Sequence, residues 1–193
     1  MQIDHLLQTL NFIRPLSGRL QDRLGECLRE ERLPKKHLLQ RQGETCRKIY
    51  FIAEGMARAY YLTGKQKECT TWFMREGDVM ISVFSFFTQQ PGEENIELLE
   101  DCRLQSISWT QLQGIYADFP EFNYHGRVLT EKYYIESEHR AMLLRNATAA
   151  ERYALLLKTH PDIIRRVPLW MIASHINVSH EALSRIRGQL SHG

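Results

Sequence analysis

The stretch Pro168-Leu-Trp-Met-Ile-Ala-Ser-His-Ile-Asn-Val-Ser-His-Glu-Ala-Leu-Ser-Arg-Ile-Arg187 decides how the C-terminal part of the chain folds. A helix-turn-helix crosses two short helices at a large angle, and where their backbones meet, at the fifth position of the first helix, only a small residue fits. Ala173 stands there. Four positions on, the turn requires a residue that accepts positive φ, and Asn177 is one of the few besides glycine that does so readily. Ile172, Ile176, Val178, Leu183 and Ile186 then fall on the inward faces, and Pro168 suits a first helical turn, where its missing N–H is not needed. Ser179 is placed to cap the second helix, with Glu181 in its first turn, where the helix dipole favours an anion. In this motif the N-terminal turn of the second helix enters the major groove. The spacing makes His180, Glu181, Ser184 and Arg185 candidates for base edges, and Ser179 and Arg187 candidates for phosphates. Arginine binds guanine bidentately, and glutamate accepts from the cytosine amino group.

Upstream, Thr148 and Glu151 form a capping box, and the helix it opens runs through Tyr153 and Leu155 to Leu157 before His160-Pro161 ends it. Before it lies a long helical stretch that begins near Pro120 and meets no further proline until Pro161. Val128, Ile135 and Met142 recur in it at a spacing of seven, as in a coiled-coil seam. Phe122, Leu129, Tyr133, Leu143 and Leu144 make a second apolar stripe, so this helix has two surfaces to cover, and the first is expected at a dimer interface. Residues 37–110 read differently. Short runs rich in aromatic and branched residues (Lys48 to Ala53, Ala57 to Leu62, Thr70 to Met74, Asn95 to Leu99, Arg103 to Trp109) alternate with glycine turns and predict an antiparallel sandwich or barrel. At the start of the chain, apolar residues at helical spacing from about Ile3 to Arg32 predict two helices broken by Pro15 and Gly18.

A chain of 193 residues with 43% hydrophobic and 25% charged residues is long enough for one large domain or a medium and a small one, and is neither fibrous nor disordered. No window approaches a membrane span, and Asp4, Arg14, Arg19 and Asp22 stand where a signal peptide is apolar, so a cytoplasmic protein without a membrane partner is expected. Cys27, Cys46, Cys69 and Cys102 are too far apart for a CxxC metal pair or a disulfide framework. The net charge of +2 divides unevenly: residues 1–144 hold 18 Lys/Arg against 20 Asp/Glu, whereas residues 145–193 hold 7 against 3. A basic tail on a near-neutral body suits a polyanionic partner.

Taken together, Ile49-Tyr-Phe-Ile-Ala-Glu-Gly55 followed by Arg58, the long helix after Phe119-Pro120, and the segment Val167 to Arg187 with its Ser-His-Glu-Ala-Leu-Ser-Arg-Ile core make the chain resemble the Crp/Fnr superfamily of transcription regulators. The resemblance covers nearly the whole length. It implies an α+β chain: an N-terminal antiparallel β jelly roll like a cyclic-nucleotide-binding domain (residues 1–118), a long dimerisation helix (119–145) and a C-terminal, winged helix-turn-helix domain (146–193). It also implies a homodimer that binds near-palindromic double-stranded DNA and contacts RNA polymerase.

The sensor half departs from the family. Members that bind cyclic AMP hold its phosphate with a Gly-Glu pair and an Arg-Ser/Thr pair, whereas here Ile81 and Ser82 occupy the first pair, and residues 91–101 carry five carboxylates and no base. An anion is repelled by such a rim, so no cyclic nucleotide is expected and the effector is unknown. Arg58, Arg75, Ser82 and Phe84 are the candidate pocket residues, with Arg58 and Arg75 the only nearby substitutes for the missing cation. The three phenylalanines of Ser82 to Phe87 are expected to fill the barrel. A lone Cys27 excludes the family's iron–sulfur type, and residues 43–118 contain no histidine to build a metal-dependent cupin. With no nucleophile and base pair, no catalysis is expected, and no metal or other cofactor. A competing reading is a ligand-binding jelly roll that regulates a protein partner, with a degenerate DNA-binding tail.

Overall fold

The computed structural model describes residues 4–64 and 66–191. They form two compact units, Met1–Ala59 with Met74–Lys132, and Tyr60–Phe73 with Tyr133–Gly193. The hairpin of residues 60–73 thus clusters with the C-terminal helices, although sequence position alone places it in the β domain.

The first unit opens with α1 (Asp4–Ile13) and α2 (Gly18–Cys27), which separate at Pro15 as expected. Ser17 caps α2 by accepting the Leu20 N–H at 3.4 Å, and Leu20, Leu24 and Cys27 are buried. The helical reading to Arg32 is corrected here. After Leu28 the chain extends into β1 (Arg29–Leu33), because Arg29-Glu-Glu-Arg32 offers no apolar face for a helix to bury. Paired antiparallel with β8 (Cys102–Ser108), the segment finds partners instead: Glu31 accepts from Ser106 Oγ at 2.6 Å and from Lys48 Nζ at 3.0 Å.

Between β1 and β8 run β2 (Leu38–Gln40), β3 (Lys48–Glu54), β4 (Ala57–Leu62), β5 (Glu68–Met74), β6 (Val79–Met80), the short helix α3 (Val83–Thr88) and β7 (Asn95–Leu98). They close two four-stranded sheets, β1-β8-β3-β6 and β2-β7-β4-β5, in a jelly-roll arrangement. The five predicted strands are present within two residues of their expected limits; β1, β2 and β6 are short or charged and left no periodic signal. The face of β3 and β8 that carries Ile49 and Ile107 packs on α1 and α2, while Ile52 and Leu104, fully buried, point the other way. The expected strand to Trp109 stops at Ser108, which forms a capping box with Gln111 and opens α4 (Trp109–Asp118).

The long helix α5 (Phe122–Asn146) follows, then α6 (Ala149–Thr159), α7 (Pro161–Arg166), α8 (Leu169–His175) and α9 (His180–Ser191). Thr148 and Glu151 make the expected capping box on α6, with Oε2 of Glu151 accepting the Thr148 N–H at 2.8 Å.

The tight β3–β4 connection turns at Gly55, whose φ is +100° and whose missing side chain leaves room for Cys102: an added Cβ would stand 2.5 Å from Cys102 Sγ and 2.9 Å from the Asp101 carbonyl oxygen. Gly55→Ala should therefore lower the unfolding free energy by about 2 kcal/mol or more. Urea denaturation followed by circular dichroism checks this, and a change within error of zero would show that the turn relaxes without strain.

Candidate functional site

The C-terminal helices carry the site. At the end of α8 the chain reverses through Asn177 at φ +57°, the left-handed conformation the sequence requires there. The Val178 N–H donates to the Ala173 carbonyl at 2.9 Å, and Ala173 itself is buried at the crossing of α8 and α9. Ile172, Ile176 and Leu183 are buried beneath, and Val178 and Ile186 partly so. Ser179 Oγ accepts the Ala182 N–H at 3.1 Å, which is the cap expected of it.

This packing fixes what α9 shows to solvent. Ser179, His180, Glu181, Ser184, Arg185 and Arg187 are all exposed. His180, Ser184 and Arg187 follow one another at helical spacing, and Glu181 and Arg185 lie one turn apart beside them. The six residues thus share one outward surface at the N-terminal end and first turns of the helix. Backbone hydrogen bonding at the helix start, with the Ser179 hydroxyl, holds the Glu181 carboxyl below its ordinary pKa. Glu181 is an acceptor there at neutral pH, Arg185 and Arg187 are donors, and such a surface matches mixed base edges flanked by phosphates.

A polar clasp within the same unit holds α8, and the sequence reading misses it. Ser174 Oγ accepts the Thr70 N–H and donates to the Glu68 carbonyl, both at 2.9 Å, so one hydroxyl closes the edge of β5. From α5, Arg140 donates through Nη2 to the His175 carbonyl at 2.9 Å and to the Thr70 carbonyl at 3.5 Å. Its Nη1 stands 2.9 Å from His175 Nε2. Because guanidinium only donates, Nε2 accepts, and the proton of the neutral ring is assigned to Nδ1. The ring packs on Phe73 at 5.0 Å between centroids. Burial, and then the neighbouring Arg140 charge, depress the His175 pKa to about 3. The only sequence signal was two polar residues, Ser174 and His175, closing an otherwise apolar helix.

The four candidate pocket residues are spread over β4, the turn after β5 and the start of α3. Arg58 is 2% exposed and committed to Glu97, with Nη2 and Nε at 2.7 and 3.1 Å from the same carboxylate oxygen. The acidic stretch does have a base facing it. Arg75 lies in the turn after β5, where its N–H donates to Asp78 at 3.0 Å. Ser82 is buried at the start of α3, and Phe84 is 62% exposed on its surface. Of the three phenylalanines only Phe86 fills the interior, because a six-residue helix against a sheet buries one stripe; Phe87 is exposed like Phe84. The segment where a cyclic phosphate is held in the family is internally satisfied: Ser85 Oγ accepts the Cys46 N–H at 2.8 Å and donates to the Gln90 carbonyl at 2.5 Å. Gln89 Nε2 donates to the Phe86 and Cys46 carbonyls at 2.7 and 3.2 Å. Glu94 stands beside Ser82 with its pKa raised by burial. These residues do not fit a cyclic nucleotide.

On α5, Ile135 is 66% and Met142 48% exposed, and Val128 is half-buried, so the seven-residue stripe faces outward over most of its length. Cys27, Cys46 and Cys102 are buried free thiols, and Cys69 is a half-buried one. Among the described residues no helix is long and apolar enough to cross a membrane.

Residues 30–119 match the model of the cyclic nucleotide-binding domain. Among solved structures the chain is similar to FixK2 from Bradyrhizobium japonicum, at 18% identity and TM-score 0.74 over 86% of this chain and 85% of that one. It is also similar to the c-di-GMP-responsive global regulator CLP of Xanthomonas campestris, at 18% identity and TM-score 0.72 over 91% and 92%. A third is a transcriptional regulator of the Crp/Fnr family from Eubacterium rectale, at 17% identity and TM-score 0.74 over 92% and 85%. A search of curated protein sequences gives no match.

The buried neutral His175 makes stability depend on pH. Its folded pKa, about 3, lies below the ordinary value of 6.5, so its contribution is complete above pH 6.5 and is lost as pH falls toward 3. Between pH 6.5 and 5, where carboxylates stay ionised, the unfolding free energy should drop by about 1.4 kcal/mol per pH unit once below 6.5. His175→Gln should flatten that slope. A native chain whose denaturation midpoint is constant across this range would contradict a neutral, buried ring.

Proposed function

We propose that the chain, whose residues 30–119 match the model of the cyclic nucleotide-binding domain and whose fold is similar to that of solved Crp/Fnr regulators, is a sequence-specific DNA-binding transcription regulator rather than an enzyme. The observation that supports this reading most directly is the exposed surface of α9. Six residues chosen from the sequence for base and phosphate contact lie together on the helix that the Asn177 turn presents outward.

In this reading Arg185 and Glu181 read base edges with His180 and Ser184, and Ser179 and Arg187 contact phosphates. A homodimer through Val128, Ile135 and Met142 presents two copies of α9 to the half-sites of a near-palindromic operator, and the DNA-bound dimer contacts RNA polymerase in the cytoplasm. The exposure of Ile135 and Met142 on a 25-residue helix supports that use, because an apolar seam of this kind is normally covered. The sensor works without a resident cofactor and without cyclic AMP. The Arg58–Glu97 ion pair and the closed Ser85–Cys46–Gln90 network support that part.

Selection of bound DNA from a random pool at fixed salt should enrich a palindromic site. Against that site, Arg185→Ala should lose about 1–3 kcal/mol of binding and relax one base position in each half-site, as read by fluorescence anisotropy. Arg187→Ala should weaken binding to all sequences alike and reduce the salt slope by about 1 for each phosphate that Arg187 neutralises. If no site is enriched and neither variant alters DNA binding, the jelly-roll module acting on a protein partner becomes the better reading.

A further inference from the structure

Outside the segment that holds a phosphate in the superfamily that the sequence resembles, the first unit contains a partly open cavity of about 70 Å³ between the helices and the β1-β8-β3-β6 sheet. From α1 and α2 come Leu6, Leu10 and Leu24, from the sheet Phe51 and Ile107, and from α5 Leu129. The walls are almost wholly apolar. Gln105 reaches the same space, but its Oε1 is committed to the Leu6 N–H at 3.2 Å. One ordered water requires about 10–15 Å³ on this scale and two or more polar partners. The volume holds several waters, and the largely apolar wall offers them few polar partners. It suits a compact hydrocarbon-like molecule.

The floor of the cavity is built into the long helix. Gly126 sits in the interior of α5, where glycine costs about 1 kcal/mol relative to alanine. It is tolerated because a Cβ there would collide with the Tyr116 hydroxyl. With no side chain in the way, Tyr116 lies against α5 and stacks on Phe122, with centroids 5.4 Å apart. Phe122 stacks in turn on His125, which is buried and held by the Arg14 carbonyl at 2.9 Å. This aromatic layer stiffens the α4 and α5 side of the cavity. A molecule entering it presses on Leu129, one residue from the first member of the exposed apolar stripe, Val128.

We propose that this cavity binds a small uncharged apolar molecule of about three or four heavy atoms and that its occupancy sets the position of α5. The second half of the proposal rests on the reading of the chain as a DNA-binding regulator; the first half does not.

The test uses the full chain, with xenon and propane as probes. Each should produce saturable shifts of the Leu10, Leu24 and Ile107 methyl signals, with Kd about millimolar, the affinity open to so few atoms. Leu129→Phe, which fills the space, should abolish the shifts while leaving the circular dichroism unchanged. Should that variant not fold, Leu6→Ala enlarges the same space and should tighten propane binding. Non-saturable or scattered shifts with both probes would overturn the site. With the site enriched from the random pool, saturating propane should change DNA affinity about five-fold or more in the native chain. Unchanged affinity on filling the cavity would overturn the control of α5 while leaving DNA binding in place. Failure to bind any DNA would count against the regulator reading alone, since the methyl shifts are measured without DNA.

Discussion

The close approach of two backbones at Ala173 constrains everything that the C-terminal unit presents. The Val178 N–H reaches the Ala173 carbonyl because the chain reverses with positive φ at Asn177, and the buried Ala173 adds no bulk where α8 ends. Given those two conditions, the phase of α9 is set and Leu183 must point inward. The exposed row from Ser179 to Arg187 is what remains on the opposite side. A larger residue at 173 or a β-branched one at 177 would rotate or detach the helix, leaving every surface side chain intact and misdirected.

What the sequence revealed and what it hid divide along one physical line. Ala173, Asn177, Ser179, Thr148 and Glu151 act within a few residues of themselves, so their chemistry is legible locally and the structure places them as read. The strands with branched and aromatic alternation were legible for the same reason. Arg140, Ser174 and His175 act across a sequence separation of 35 to 106 residues, and nothing in their neighbourhoods announces their partners. Arg58 shows the reverse error: an arginine near a carboxylate-rich stretch looked free to hold an anion, but strand pairing brought Glu97 to it first. The charged segment Arg29–Leu33 misled by extending a helical period into residues whose partners lie on β8.

The jelly roll and the exposed face of α9 differ in how far they depart from the pattern of the superfamily that the sequence resembles, and the reason is chemical. A recognition helix keeps its role through any set of exposed donors and acceptors, so substitution changes the sequence read rather than the mode of reading. A phosphate cradle cannot drift in the same way. Without its cation the segment must satisfy its own backbone groups, and here Ser85 Oγ accepts the Cys46 N–H while Gln89 Nε2 donates to the Cys46 carbonyl. The domain thus keeps the shape of a nucleotide-binding roll with a different interior chemistry.

The hairpin of residues 60–73 carries a consequence for how the protein forms. Its partners Arg140, Ser174 and His175 are made long after it, so during synthesis the unit stays open until the last helices emerge. The loop spanning Thr70 and Ser174 adds only a little closure entropy, growing by about 0.6 kcal/mol for each doubling of length, but it delays the pairing. A fragment beginning after residue 132 would expose the α8 face that the β5 edge covers. The C-terminal helices are therefore the last part of their unit to mature, and its hairpin waits for them.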